Sequence, residues 1–324
     1  METESVIKKR PRGRPTGSGK KKDKNVKLRD IELNINVKNN FPISAIDMDK
    51  VEYTVNSDYL LKFRTTSVDA FKLLFSVIRS KFDHVYIYVD NSGIVIYHPR
   101  GESDIESFAV KIFADKFTEF NVVKNFHKCL NTIHIHDILK KFTKLKEMGM
   151  KIFEDDSSQM TCHLSIEIGM DGGITRHFDM TLPNKILTLY NRNKYSTISE
   201  VIPDYVALLN PNEFEIDMRH IKLTLGAEQV QIKCEDGKFY ITAKNKEKIR
   251  YESTRLSQNG TLYIIKENDD SYNGKFDISV LYNYAKLHKM SKIVKLYLTQ
   301  NKPIIIEYHI NDMGAIQIFL ASKV

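Results

Sequence analysis

The sequence predicts an α+β fold built from two similar halves, each an antiparallel sheet with two helices on one face. Three observations carry this. First, 138–148 (ILKKFTKLKEM) aligns without gaps on 280–290 (VLYNYAKLHKM) at an offset of 142, both with apolar residues at i, i+1, i+4 and i+7, one face of a helix. Second, 85–96 (VYIYVDNSGIVI) resembles 230–241 (VQIKCEDGKFYI), two alternating strands around a turn, at nearly the same spacing. Third, a helix followed by a hairpin recurs four times. Tight turns force antiparallel neighbours, so the pattern excludes a doubly wound parallel sheet.

In chain order, 68–81 reads as a helix leading to strands around Asn91-Ser92-Gly93. Residues 137–148 lead to strands around 154–158, 214–225 to strands around Asp236-Gly237, and 279–290 to strands around 300–303. The expected division is an extension over 1–54, a first domain over 55–182, a connector over 183–204 and a second domain over 205–324.

Charge separates the extension from the body. Of 49 Lys and Arg, eleven fall in residues 1–29 against three acids, which accounts for the whole net charge of +8. The extension holds little to bury and is expected to be disordered when free. Within it, Lys9-Arg10-Pro11-Arg12-Gly13-Arg14-Pro15 resembles an AT-hook. Gly13 lets the backbone approach a minor-groove floor, and Arg10, Arg12 and Arg14 supply cations for a narrow groove of enhanced negative potential. A solvated basic tail or a nuclear-import signal explains the same residues, and both favour nucleic acid.

The expected helices carry cations on their outer faces: Lys72 and Arg79, Lys140 and Lys144, Arg219 and Lys222, Lys286 and Lys289. In a body of zero net charge this requires acids on loops and outer strands, leaving one surface suited to phosphates. Solubilising lysines are the ordinary explanation for any one helix. Agreement among four is harder to explain that way.

Other chemistry finds little support. Cys129, Cys162 and Cys234 are far apart and form no CxxC pair, so they read as reduced core thiols. His134 and His136 alternate on an expected strand without a third ligand. Asp155-Asp156 and Asp269-Asp270 read as loop carboxylates. No catalytic residue, metal or cofactor is expected, and no run approaches the length needed to span a bilayer.

The C-terminal stretch Asn301-Lys302-Pro303-Ile304-Ile305-Ile306-Glu307-Tyr308-His309-Ile310-Asn311-Asp312-Met313-Gly314, with the tail Ala321-Ser322-Lys323-Val324, resembles the signature of the proliferating cell nuclear antigen (PCNA) family of sliding clamps. Ser322 stands where that family usually has Pro. Ile202-Pro203, Asn210-Pro211 and Glu213-Phe214 resemble the end of its connector and the start of its second domain. The resemblance implies two DNA-clamp domains per chain and a homotrimeric ring around double-stranded DNA, with helices lining the hole. It implies a non-enzymatic processivity factor for replication and repair, acting in the nucleus; abundant Lys, Asn and Ile hint at an A·T-rich genome, and in a large DNA virus the place of action would be a cytoplasmic replication site. By position, Lys140, Arg219 and Lys286 match basic hole-lining sites, and helical phase adds Lys72, Arg79, Lys144, Lys222 and Lys289. The implied partners are DNA polymerase, a clamp loader and repair enzymes carrying PCNA-interacting peptides. Their pocket would use Ile198, Val201, Ile202 and Pro203 with Pro303, Phe319, Ala321 and Ser322, and Phe108 from the first domain. Phe178 falls near the edge strand that pairs across subunits in the family. A clamp-fold protein diverted to transcription or chromatin is the alternative.

Overall fold

A computed structural model describes residues 59–98, 106–155, 158–183, 203–256, 262–264, 271–310 and 312–323. All of them belong to one compact unit spanning 35–324. The extension with its AT-hook-like Arg10, Arg12, Gly13 and Arg14, and the connector residues Ile198, Val201 and Ile202, lie outside the described residues.

The first half runs β1 (Leu61–Thr65), α1 (Val68–Arg79), β2 (His84–Asp90), β3 (Gly93–His98), β4 (Glu106–Phe113), β5 (Glu119–Val122), β6 (Phe126–Asn131), α2 (Thr132–Lys141), β7 (Leu145–Asp155), β8 (Ser158–Met170) and β9 (Thr175–Thr181). The second runs β10 (Tyr205–Leu209), α3 (Pro211–Arg219), β11 (Gln229–Glu235), β12 (Lys238–Lys244), β13 (Arg250–Leu256), β14 (Leu262–Ile264), β15 (Tyr272–Asp277), α4 (Ile278–Ala285), β16 (Val294–Leu298), β17 (Ile304–Ile310) and β18 (Gly314–Leu320). Among the described residues each half therefore has nine strands, with helices after its first and sixth. All four helix–hairpin units are present, because period-two burial joined by a tight turn is a local signal, but the helix expected over 137–148 lies at Thr132–Lys141.

The sheets depart from the expectation of one per half. The first half pairs β5-β1-β7-β8-β9 and β4-β3-β2-β6, and the second repeats both orders as β14-β10-β16-β17-β18 and β13-β12-β11-β15. Strand β18 then pairs antiparallel with β4, from Gly314 opposite Ile112 to Leu320 opposite Glu106, which fuses one sheet of each half into a nine-stranded sheet. No local pattern encodes this join, since its strands lie some 200 residues apart. Gly314 is required there: a Cβ would collide with the backbone carbonyl oxygen of Lys111. Ser80 Oγ donates to Asn283 Oδ1 at 2.9 Å across the same seam.

The sequence repeat is corrected by one helical turn. Asn131 caps α2 by accepting from the backbone N–H of Ile133 and His134, and Asp277 caps α4 by accepting from that of Ser279. These caps are 146 residues apart, four more than the sequence offset of 142, and a four-residue slip preserves an apolar helical stripe. As a result α2 ends at Lys141, and Leu145 and Met148 belong to β7 instead of the helix. His134 and His136 lie on α2, not on a strand. Phe142 is extended and terminates the helix, so the chain enters β7 directly. Helix α4, by contrast, continues through 286–290 as a tighter turn, burying Leu287 and Met290.

Candidate nucleic-acid interface and partner pocket

The four helices form one contiguous group. Helix α1 packs on α2, α3 packs on α4, and α1 meets 286–290 from the other half. Each buries an apolar stripe: Phe71, Leu74, Phe75 and Ile78 in α1, Ile135 and Leu139 in α2, Phe214 and Met218 in α3, Leu281 and Tyr284 in α4. Polar residues are thereby turned away from the core.

A cleft of about 540 Å³ opens where α1, α2 and 286–290 converge, lined by Asp69, Lys72, Ser76, His136, Lys140 and Lys289 among others. It brings three of the expected cations together from both halves. Lys140 and Lys289 are exposed. Lys72 is committed, since its Nζ donates to the Phe142 carbonyl at 2.9 Å and closes the C-terminal end of α2. Arg79 pairs with Asp83 at 2.8 Å, and Arg219 with Glu215 at 3.6 Å. Lys222 Nζ donates to Ser279 Oγ at 2.7 Å, tying the wide turn that extends α3 to α4. Lys286 is exposed and stands 5.0 Å from the centre of the Tyr282 ring. Lys144 is exposed but sits in the turn before β7, so the helical spacing assigned to it with Lys140 does not exist.

The helices are not uniformly basic. Helix α3 carries Glu213, Glu215 and Asp217. Asp217 is inward: it accepts from Tyr251 Oη and Arg255 Nη2, both at 2.6 Å, anchoring α3 to β13. Burial, the Asp217 hydrogen bond and its charge push the Tyr251 hydroxyl up to about 12. Asp69 and Glu215 also share the helix layer with the cations, so the sorting of acids onto loops and outer strands is incomplete.

The partner-pocket residues divide. Phe108 is only 2% exposed and packs in the core at the seam, opposite Ile318, so it does not line an open pocket. Strand β4, central in a nine-stranded sheet, buries every residue from Ser107 to Ile112, so the burial of Phe108 needs no pocket to explain it. Pro203 and Phe319 are buried, Pro303 and Ala321 half-buried, and Ser322 exposed. The tail holds to β15: Ser322 Oγ accepts from the Lys275 N–H at 3.2 Å, the Lys323 N–H donates to the Lys275 carbonyl at 2.7 Å, and Lys323 Nζ reaches Asp277 at 2.9 Å. The Asp277 carboxyl is held below its usual range. Burial opposes this, and the Lys323 bond and backbone donors outweigh it.

Two buried polar clusters escaped sequence reasoning. Glu307 accepts from Gln317 Nε2 at 2.9 Å and lies 3.1 Å from Lys295 Nζ and from His309 Nε2. Burial pushes its carboxyl up, but His309, Lys295 and Gln317 together hold it at about 2. Lys111, 2% exposed, donates to Ser92 Oγ at 2.6 Å with Asp90 at 3.8 Å, and burial lowers its pKa. The one signal for Lys111 was a lone cation in the apolar run FAVKIF. Among the described residues no group of three or more His, Cys, Asp or Glu could hold a metal ion, and no helix is long and apolar enough to cross a membrane.

The doubled order of strands and helices, and the fusion through β18 and β4, can be compared with known proteins. Over 82% of its length the chain superposes on the whole of a crystal structure of Proliferating Cellular Nuclear Antigen from Entamoeba histolytica, with a TM-score of 0.67 and 19% identity. The chain has the PCNA fold. Residues 222–323 match the family of the PCNA C-terminal domain. A curated relative described as "Probable DNA polymerase sliding clamp 1", from Paramecium bursaria Chlorella virus 1, is 21% identical over 255 residues, covering 65% of this chain and 96% of that protein. The PCNA match covers α4, the seam strand β18 and the tail, the part of the sequence whose motifs were most legible.

Proposed function

We propose that this chain is a DNA sliding clamp, a ring around duplex DNA that tethers a DNA polymerase to its template. The viral relative's description, the PCNA C-terminal domain match and the PCNA fold support this reading. One observation carries it physically. The internal join uses β18 and β4, while among the described residues their counterparts β9 and β13 are edge strands with one paired neighbour each. Repeating that join between copies is a head-to-tail contact, which generates a ring when the rotation closes. A homotrimer, with six such halves, is the assembly the family resemblance implies.

In such a ring Lys140, Lys286 and Lys289 face the duplex, and Arg79, Arg219, Lys222 and Lys72 contribute less because their cations are already partnered. Contacts confined to phosphates hold the ring without reading bases, which permits sliding. The chain performs no reaction in this role. A loader opens the ring, and polymerase and repair enzymes dock PCNA-interacting peptides beside the connector at Pro303, Phe319, Ala321 and Ser322. The AT-hook-like extension adds a tether to A·T-rich duplex, with action in the nucleus or at a viral replication site.

Light scattering on the eluting protein tests the assembly, with a trimer mass expected. Primer extension on a singly primed circle, with the matching loader and polymerase, tests the role, with longer products expected. A monomer mass at every concentration, with DNA binding retained, would replace this reading with the transcriptional or chromatin one that the extension favours.

A further inference from the structure

The outer face of the sheet β13-β12-β11-β15 carries a surplus of positive charge that the clamp reading does not use. We propose that this face docks an acidic peptide segment of a partner protein, held by Lys244 and Lys275 with the amide of Gln229. The inference goes beyond the ring reading, because every residue it uses lies on one chain and away from the helix layer.

Strands β11, β12 and β15 alternate strictly. Val230, Ile232, Ile241 and Phe276 are buried in the same core as Phe214 of α3 and Leu281 of α4, so the residues between them point outward. A groove of about 470 Å³ lies on that outward side, lined by Gln229, Gln231, Thr242, Lys244, Arg250 and Lys275 among others. A duplex lying on the helices is separated from it by the sheet itself.

Each acid on these four strands already has a cation: Glu235 pairs with Lys233, Glu252 with Arg250, and Asp277 with Lys323 at 2.9 Å. Lys244 and Lys275 are exposed, and among the described residues neither amine has a partner. The face therefore keeps two uncommitted cations, the reverse of the acids expected on outer strands. Lys275 lies opposite Gln231, which lies opposite Thr242, and Lys244 is two residues further along β12. Two strand spacings of about 4.8 Å and two residues of about 3.4 Å put the two lysine Cα atoms roughly 12 Å apart. Carboxylates four residues apart on one face of an extended peptide are separated by about 13 Å. Between the lysines Gln231 Nε2 donates to Asn273 Oδ1 at 2.8 Å, and Thr242 Oγ1 donates to Gln231 Oε1 at 3.3 Å, which fixes a polar floor. Gln229 is exposed beside it and free to donate to a carboxylate. None of the described residues lining the groove is aromatic. Sites for single-stranded nucleic acid combine cations with rings on which bases stack, so this floor favours carboxylates.

Fluorescence anisotropy with the full chain and a labelled peptide of about twelve residues, alternating Glu and Ser, tests this at about 50 mM salt, where exposed charges are weakly screened. Lys244→Glu or Lys275→Glu should each weaken binding by about fivefold, and both together by about twentyfold or more, as attraction becomes repulsion at each position. Lys238→Glu makes the same charge change at the far end of β12 and should alter binding by less than about twofold. A labelled single strand and a labelled duplex of DNA, measured alongside, should lose less affinity than the peptide in the double variant. Equal or greater loss for either DNA would overturn the acidic-peptide assignment in favour of nucleic acid. A parent that does not bind the peptide, or equal weakening by Lys238→Glu, would remove the site altogether.

Discussion

Replacing Lys140 and Lys289 together by alanine tests whether the helix layer grips DNA. Both amines are exposed in the cleft where the two halves meet, so each is available to one phosphate. Each phosphate contact on duplex DNA contributes about 0.9 to the slope of log affinity against log salt, so the pair contributes about 1.8 per chain. Raising salt fourfold, from about 50 to about 200 mM, multiplies a difference in slope of 1.8 into roughly a twelvefold change in relative affinity. Fluorescence anisotropy on a labelled duplex across that range should show the variant binding more weakly at low salt and converging on the parent at high salt. Arg79→Ala with Arg219→Ala is the control. Those guanidiniums already pair with Asp83 and Glu215, and their loss should flatten the slope by less than half as much. Equal flattening by the two pairs, or none by the lysines, would refute the assignment of the free amines as the grip.

Glu307→Gln should destabilise the protein by about 3 kcal/mol at neutral pH, the equivalent of a carboxyl held near 2 in the folded chain against 4.5 when unfolded. That stability is present above 4.5 and is lost as pH falls through 2, so urea unfolding should show parent and variant converging in acid. A gap independent of pH would reject the ion cluster as its source. Gly314→Ala should cost about 2 to 3 kcal/mol in the same assay because its methyl meets the Lys111 carbonyl in the seam, and a change under about 0.5 would show that the seam yields easily. Deleting residues 1–29 should weaken DNA binding and reduce its salt slope while leaving the oligomeric mass unchanged. An unaltered slope would count against the extension as a DNA contact.

The parts of this fold legible in the sequence are those encoded within a dozen residues. Val85 to Ile96 and Val230 to Ile241 announce their hairpins because alternation and a turn lie side by side. The four helices are legible by their stripes, but a stripe repeats each turn, which is why the pairing of α2 with α4 came out four residues short. Their caps, Asn131 and Asp277, carry the correct register. Lys144 was misplaced for the same reason. The seam was illegible because Ile318 and Phe108 carry no mark of each other, and Phe108 read equally well as a pocket wall. Lys72 and Arg79 showed as cations in the sequence, but only the coordinates show that a carbonyl and an aspartate already occupy them.

The seam also determines where an assembled hoop would give way. Within a chain, β18 and β4 are matched over seven residue pairs, with Ser80 bonded to Asn283 across the join. Separating the halves there would tear a continuous sheet through its middle and expose core residues on both sides. In the proposed ring the joins between chains would repeat this edge-to-edge pairing without the covalent link that holds the two halves of one chain, so an assembled hoop would open at those joins and each protomer would move as one stiff arc.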